Sequence, residues 1–332
     1  PRLFKNLSDI PDNRGQVCII YVLQHEAEAA WRDLDTDGIL FQQLWGGRMT
    51  PRQAASWLAE IFRDYRRLAG LLAHHRPALF LQGAKLPHYR LAFRALFNRY
   101  RFSYFWGRDD HDQTHHMRSQ ELRRVGGVSM GINHGIPVSD IVEPGWRYID
   151  FDHYYAFGRH LYERYYRHTW PAHMTVTAIG TFGLSREELH KVAAPRTKDI
   201  MVFANPTLDN DRLVDTALTL AREFPDRHVF FKTKPWPKDH FFVELLETRQ
   251  PLPANFKFIN KGIEATYALV MSCGYSISTI SSVGAETVHL GARTFILDTQ
   301  PPDYPLLYRD FDGLTFHEAD EVITRIRNLE SG

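Results

Sequence analysis

The sequence predicts an α/β fold built from two doubly wound halves that face each other across a cleft. Short apolar runs of strand length recur with helical patterns between them, which is the rhythm of parallel strands covered by helices. The polar stretch Lys191 to Lys198, with Pro195 inside it, interrupts that rhythm once and divides the chain near residue 195 into segments 1–195 and 196–332. At 332 residues the chain is long enough for two cores of ordinary size.

In the first half the apolar runs predict strands at Val17 to Leu23, Ala78 to Gln82, Phe102 to Trp106, Val128 to Ile132, Tyr154 to Phe157 and Thr175 to Ile179. Helical spacing predicts Pro51 to Ala73, with Pro51 in its first turn, then Tyr89 to Tyr100, then Thr114 to Val125 with Thr114 as cap. In the second half the expected strands are Ile200 to Ala204, His228 to Lys232, Phe256 to Ile259, Ala268 to Ser272 and Thr294 to Leu297. The helices between and after them are Asp209 to Glu223, Asp239 to Thr248, Ser281 to Leu290 and Glu318 to Leu329.

Charge and composition narrow the function. The formal net charge is +1, from 40 Lys plus Arg against 39 Asp plus Glu, so no overall field favours nucleic acid as a partner. Arginine is clustered locally: Arg63, Arg66 and Arg67 on one helical segment, Arg90, Arg94, Arg99 and Arg101 on a second, Arg118, Arg123 and Arg124 on a third. Such clusters are solvated helix faces, anion sites or membrane-surface patches. Cys18 and Cys273 lie far apart in apolar runs, the pattern of buried thiols in a reducing compartment. No apolar run approaches the length of a membrane span and no secretory signal pattern opens the chain, so the expected location is cytoplasmic, with a peripheral contact at the inner membrane.

The richest segment runs from Tyr275 to Asp298. Ser278, Thr279, Ser281 and Ser282 lead into a helix that Gly291 ends, and unpaired N–H groups at a helix start suit a phosphate. Glu286, about one turn in, can accept hydrogen bonds from a ribose diol or from a neighbouring turn. Lys232 and Lys234 follow the strand from His228 and can reach the same phosphate as point charges. Asn205 adds a polar turn after Ile200 to Ala204.

In the first half, His134 and Gly135 follow the strand Val128 to Ile132, where a histidine can act as a base and the glycine lets a ligand approach. Arg108, Asp109, Asp110 and His111 follow the strand Phe102 to Trp106, with Asp110 as the carboxylate to face a substrate or cap the next helix. His111, His115 and His116 lack the spacing of a zinc site, so no metal is expected. No G-x-G-x-x-G, P-loop or G-x-S-x-G is present.

Three stretches, taken in order, resemble the GT-B glycosyltransferases, and more narrowly the bacterial surface-polysaccharide biosynthesis proteins of the capsule and lipopolysaccharide type. They are Arg123-Arg-Val-Gly-Gly-Val-Ser-Met-Gly-Ile-Asn-His-Gly135, then Asp152-His-Tyr-Tyr-Ala-Phe-Gly158 with Val176-Thr-Ala-Ile-Gly180, then Lys232-Thr-Lys-Pro235 with Ser278 to Gly291. This chain has Lys234-Pro235 where related transferases carry His-Pro, and Asn133 where Gln is usual. The resemblance implies two Rossmann-like domains, with a nucleotide-activated sugar, CMP- or UDP-linked, held by the second half without an obligatory metal or other cofactor. A glycan or glycolipid acceptor would be held by the first half. Two alternatives share the architecture: a UDP-sugar 2-epimerase, and a non-catalytic glycan-binding or assembly protein.

Overall fold

The structure is a computed structural model that describes residues 18–21, 40–43, 50–73, 77–107, 112, 114–133, 144–181, 190, 196–204, 209–233, 240–260, 262–304 and 306–332. The chain forms two compact units. One comprises Pro1–His134, Arg147–Tyr155 and His168–Thr177, and the other Gly135–Trp146, Ala156–Arg167 and Ala178–Gly332.

The first unit opens with a parallel pair, β1 (Cys18–Tyr21) and β2 (Leu40–Gln43). Helices α1 (Pro51–Ala73), α2 (Pro77–Gly83) and α3 (Leu86–Arg99) follow, and then α4 (Thr114–Arg124) lies between β3 (Tyr104–Gly107) and β4 (Val128–Ile132). With β5 (His153–Ala156) and β6 (Thr175–Ala178) these strands form a sheet in the order β3-β4-β5-β6. Its core on the α3 side is Ala92, Phe93, Leu96, Phe97 and Leu122, with the Phe97 ring edge-on to Phe102 and Phe105. Residues 78–82, expected as a strand, are helical within α2. Four consecutive apolar residues are compatible with either state, and Pro77 at the first helical position favours the helix.

The second unit carries a six-stranded sheet in the order β12-β11-β10-β7-β8-β9, whose adjacent strands are parallel. The strands are β7 (Thr197–Phe203), β8 (Val229–Lys232), β9 (Phe256–Ile259), β10 (Cys273–Ser278), β11 (Arg293–Leu297) and β12 (Thr315–Phe316). The chain starts in the middle at β7, winds outward through β8 and β9, then returns to the other side of β7 for β10, β11 and β12. That reversal makes the gap between β7 and β10 the topological switch point, where open α/β sheets bind ligands beyond their carboxyl ends.

Alternation along the strands sorts the two faces. Ile200, Val202, Val229, Phe231, Tyr275, Ile277, Phe295 and Leu297 face one core, which α5 (Asn210–Glu223), α6 (His240–Glu247) and α9 (Ala319–Ser331) help to close. Asp209 caps α5 by accepting from the Arg212 N–H at 3.1 Å. On the other face Met201 and Phe203 pack with Tyr267, Leu269 and Val270 from α7 (Ile263–Ser272), and Val283 of α8 (Ser282–His289) joins them.

One expectation here is corrected. Residues 268–272 are the end of α7, and the strand is the following run Cys273–Ser278. Helix and strand join without a loop, and Leu269, Val270, Cys273 and Tyr275 on the two sides of the junction are all buried, so the apolar pattern does not mark the boundary. Arg196 closes the junction, its guanidinium donating to the carbonyls of Val270 (2.6 Å), Cys273 (2.8 Å) and Leu290 at the ends of α7 and α8.

Candidate functional site

The strand register brings one row of residues to the carboxyl edge of the six-stranded sheet. Lys232 pairs with Phe203, Phe203 with Ser278, and Ser278 with Ile296. Residues paired in this way share a face, so Lys232 and Ser278 stand two strands apart on the α8 side, about 10 Å by the usual strand spacing.

Lys232 is 5% exposed. Its Nζ donates to the Thr233 carbonyl, and among the described residues no carboxylate pairs with it. Burial alone pushes its pKa down. Three hydroxyls at the same edge, those of Thr233, Ser278 and Thr279, are also buried and have no hydrogen-bond partner among the described residues. The Ser276 hydroxyl, one pleat deeper on β10, is in the same condition. Buried polar groups are nearly always satisfied, so a cation and several orphan hydroxyls at a switch point describe a place prepared for an anionic, hydrogen-bonding ligand.

The start of α8 is held firmly. Ser281 is its N-cap and accepts from the Val283 N–H at 3.3 Å, while the Ser281 carbonyl accepts from the Tyr308 hydroxyl at 2.6 Å. At the other end Leu290 is the C-cap and Gly291 takes the left-handed φ of 82° that terminates such helices. Within the helix, Gly284 passes close over the sheet: a Cβ there would stand 2.7 Å from Ile296 Cδ1 and 2.8 Å from Ser278 Oγ. Ser282, at the first position of α8, is half-buried.

Glu286 is half-buried, and its Oε2 accepts from the Tyr267 hydroxyl at 2.8 Å, with Thr181 as a second donor. Burial raises its pKa and these two donors pull it back. Beside its helix lies a cavity of about 250 Å³ walled mainly by apolar groups, among them Phe157, Leu161, Val288, Leu307 and Phe311.

Of the residues singled out from the sequence, Lys232, Ser278, Thr279, Ser281, Ser282 and Glu286 therefore belong to one sheet edge and the helix over it. Arg108, Asp109, Asp110, His111, His134, Gly135, Asn205 and Lys234 lie outside the described residues. Sequence reasoning did not select Thr233, Tyr267 or Gly284. Thr233 had a signal, since it directly follows Lys232, whereas Tyr267 meets Glu286 only because α7 and α8 pack on one sheet face.

His115 resolves differently from a metal ligand. Its Nε2 accepts from the Asp150 N–H at 3.2 Å, so Nδ1 carries the proton and donates to the Asp112 carbonyl. Burial pushes its pKa down to about 3, with His116 and Arg118 adding to the shift. Among the described residues no group of three or more His, Cys, Asp or Glu side chains is gathered as a metal site. Cys273 is fully buried and its thiol is pushed up to about 11 by burial.

No family of known proteins matches the sequence, and no curated protein matches it. Solved structures do match the fold. A UDP-GlcNAc 2-epimerase from Neisseria meningitidis, bound to UDP-GlcNAc, has a TM-score of 0.57 at 11% identity over 98% of this chain and 86% of that one. The UDP-N-acetylglucosamine 2-epimerase assigned in Listeria monocytogenes as putative has 0.53 at 8% identity over 96% and 88%. A further UDP-N-acetylglucosamine 2-epimerase has 0.51 at 10% identity, again over 96% and 88%. These likenesses show a fold of the GT-B class, two parallel-sheet α/β domains in one chain.

Proposed function

We propose that the protein is an enzyme acting on a nucleotide-activated sugar, and that its reaction is glycosyl transfer to a surface polysaccharide or lipopolysaccharide acceptor. The observation that carries the reading is Lys232, a buried cation without a carboxylate partner among the described residues, in the same strand row as the orphan Ser278 hydroxyl. A nucleotide diphosphate supplies the missing counter-charge and the missing acceptors together.

In this reading Lys232 and the amino end of α8 stabilise the phosphate as negative charge develops on the departing nucleotide. Lys234 adds a second cation, Asn205 lines the edge, and Glu286 accepts from the ribose diol. His134 or Asp110 takes the proton of the acceptor hydroxyl, with Gly135, Arg108, Asp109 and His111 around the acceptor. Lys234, Asn205 and these first-half residues come from the sequence reading alone. The charge work assigned to Lys232 is of the kind a metal performs elsewhere, so the reading is metal-independent.

A second reading, UDP-sugar 2-epimerisation, draws support from the fold, because the epimerases above share it over nearly the whole chain. Thermal-shift measurements with UDP, CMP, GDP, CDP and their sugars test the shared premise, since a ligand that binds only the folded state raises its stability. Stabilisation by one nucleotide family is expected, and indifference to all of them would sink both readings. Solvent deuterium appearing in the nucleotide sugar without any acceptor would select the epimerase and overturn transfer.

A further inference from the structure

Tyr308 reaches the start of α8 from outside that helix. It belongs to the short turn Leu307–Asp310 and is buried. The turn is fixed by its next residue: Arg309 pairs in two prongs with the carboxylate of Asp298, at 2.6 and 3.1 Å, and Asp298 is buried directly after β11. Burial raises the Tyr308 pKa, so at neutral pH the hydroxyl keeps its proton. It donates that proton to the Ser281 carbonyl at 2.6 Å and accepts from the Ala285 N–H.

This contact takes up one of the first donors of the helix, and Ser281 takes up two more. The Val283 N–H goes to Ser281 Oγ at 3.3 Å and the Gly284 N–H to the Ser281 carbonyl at 3.1 Å. From Ser282 to Ala285, the Ser282 N–H alone has no partner among the described residues. A helix start commonly offers an anion several open N–H groups, and within α8 that set has narrowed to one. Two further donors wait nearby. Ser278 Oγ lies under Gly284, Thr279 stands two residues before the cap, and both are fully buried with hydroxyls that lack a partner among the described residues. Hydrogen bonds weaken steeply with misplacement, so the setting of this one turn decides whether the open N–H and these hydroxyls converge on the same anion.

We propose that Tyr308 is a positioning residue for the nucleotide phosphate: by holding the Ser281 carbonyl and the Ala285 N–H, it sets the first turn of α8 so that the Ser282 N–H meets a phosphate oxygen. The proposal rests on the nucleotide reading of this site. Calorimetry with UDP, CDP and GDP tests it on three variants of the full chain. Ser282→Pro removes the open N–H and little else, because proline suits the first helical position and Ser281 before it is already extended, at φ −158° and ψ 145°. Its melting temperature should match the native one, while the diphosphate that the native protein binds should bind about tenfold more weakly or worse. Tyr308→Phe should lower the same affinity about tenfold, and it should fold, since the Ser281 carbonyl keeps the Gly284 N–H. In the double variant the loss should barely exceed the larger single loss, because an N–H that is no longer aimed is not missed. A Tyr308→Phe protein that binds as the native does overturns the proposal, and so do losses that simply add, which would make Tyr308 a packing residue. An amide spectrum of the native protein gives a check without variants: the diphosphate should move the Ser282 N–H resonance downfield more than those of Val283, Gly284 and Ala285, and the reverse order overturns the proposal. Native protein that binds none of the three diphosphates sinks the nucleotide reading itself, and this inference with it.

Discussion

Gly284 lies so close over Ser278 that a methyl group on it would meet the serine hydroxyl at 2.8 Å, with Ile296 Cδ1 at 2.7 Å on its other side. Ser278 and Ile296 are both fully buried, so one of them or the helix must shift to make room. Gly284→Ala should therefore lift α8 from the sheet and cost about 1–3 kcal/mol, despite alanine's higher helix propensity. Urea unfolding gives the cost directly. A stabilised variant would show that the helix can shift without strain.

Lys232 should show opposite effects on stability and binding. Replacing it by Met removes a buried ammonium that no described carboxylate neutralises and retains most of the side-chain volume. Lys232→Met should leave the ligand-free protein as stable as before or more so, by up to about 1–2 kcal/mol. The same variant should bind a nucleoside diphosphate at least about tenfold more weakly. Calorimetry on the two proteins checks both limbs, and unchanged nucleotide affinity would remove Lys232 from the phosphate site.

Tyr267 holds Glu286 from a neighbouring helix. Tyr267→Phe removes that donor, and since the bond lowers the Glu286 pKa, the carboxyl should become both less fixed and harder to ionise. If Glu286 reads a ribose diol, the affinity gap between a nucleoside diphosphate and its 2′,3′-dideoxy analogue should shrink about three- to tenfold in this variant. An unchanged gap would leave Tyr267 a packing residue only.

His115 makes the first unit sensitive to mild acid. Its folded pKa of about 3 lies below the ordinary value of 6.5, so the unfolded chain binds a proton that the folded chain refuses. The stability it contributes is complete above pH 6.5 and declines as the pH falls toward 3, by at most about 1.4 kcal/mol per pH unit. Denaturation midpoints from pH 7 to 4 should fall more steeply in the native protein than in His115→Gln. Parallel curves would place the acid sensitivity elsewhere.

The parts of the fold that were legible in the sequence are those with local punctuation. Helix α8 was bounded correctly because Ser281 caps it and Gly291 stops it, and α1, β4 and β9 carry similarly complete signals. The segment from Ala268 to Ser278 was misread because the apolar run from Ala268 to Met271 ends the helix only two residues before the strand begins, with no Gly or Pro between to mark where one becomes the other. That shift places Ser278, expected as a donor leading into the helix, in strand β10 together with Ser276, where alternation points both at the face under α8. The Lys232 edge could be anticipated, since strand ends in such folds carry ligands. Its orphan hydroxyls and the Tyr267 bond to Glu286 could not, because they arise from which strands become neighbours.

Arg196 stands at the entrance to β7 and neutralises the carboxyl end of α8 through the Leu290 carbonyl. That helix has eight residues, a span of about 12 Å, so a fixed positive charge at one end is still felt at the other, where screening by surrounding protein is weak. If α8 holds a phosphate as proposed, the potential offered to it at Ser281 is thus set partly from behind, by a residue at the far end of the helix. Affinity for a phosphate group could drift over evolution by exchange at position 196, with every contacting side chain left as it is.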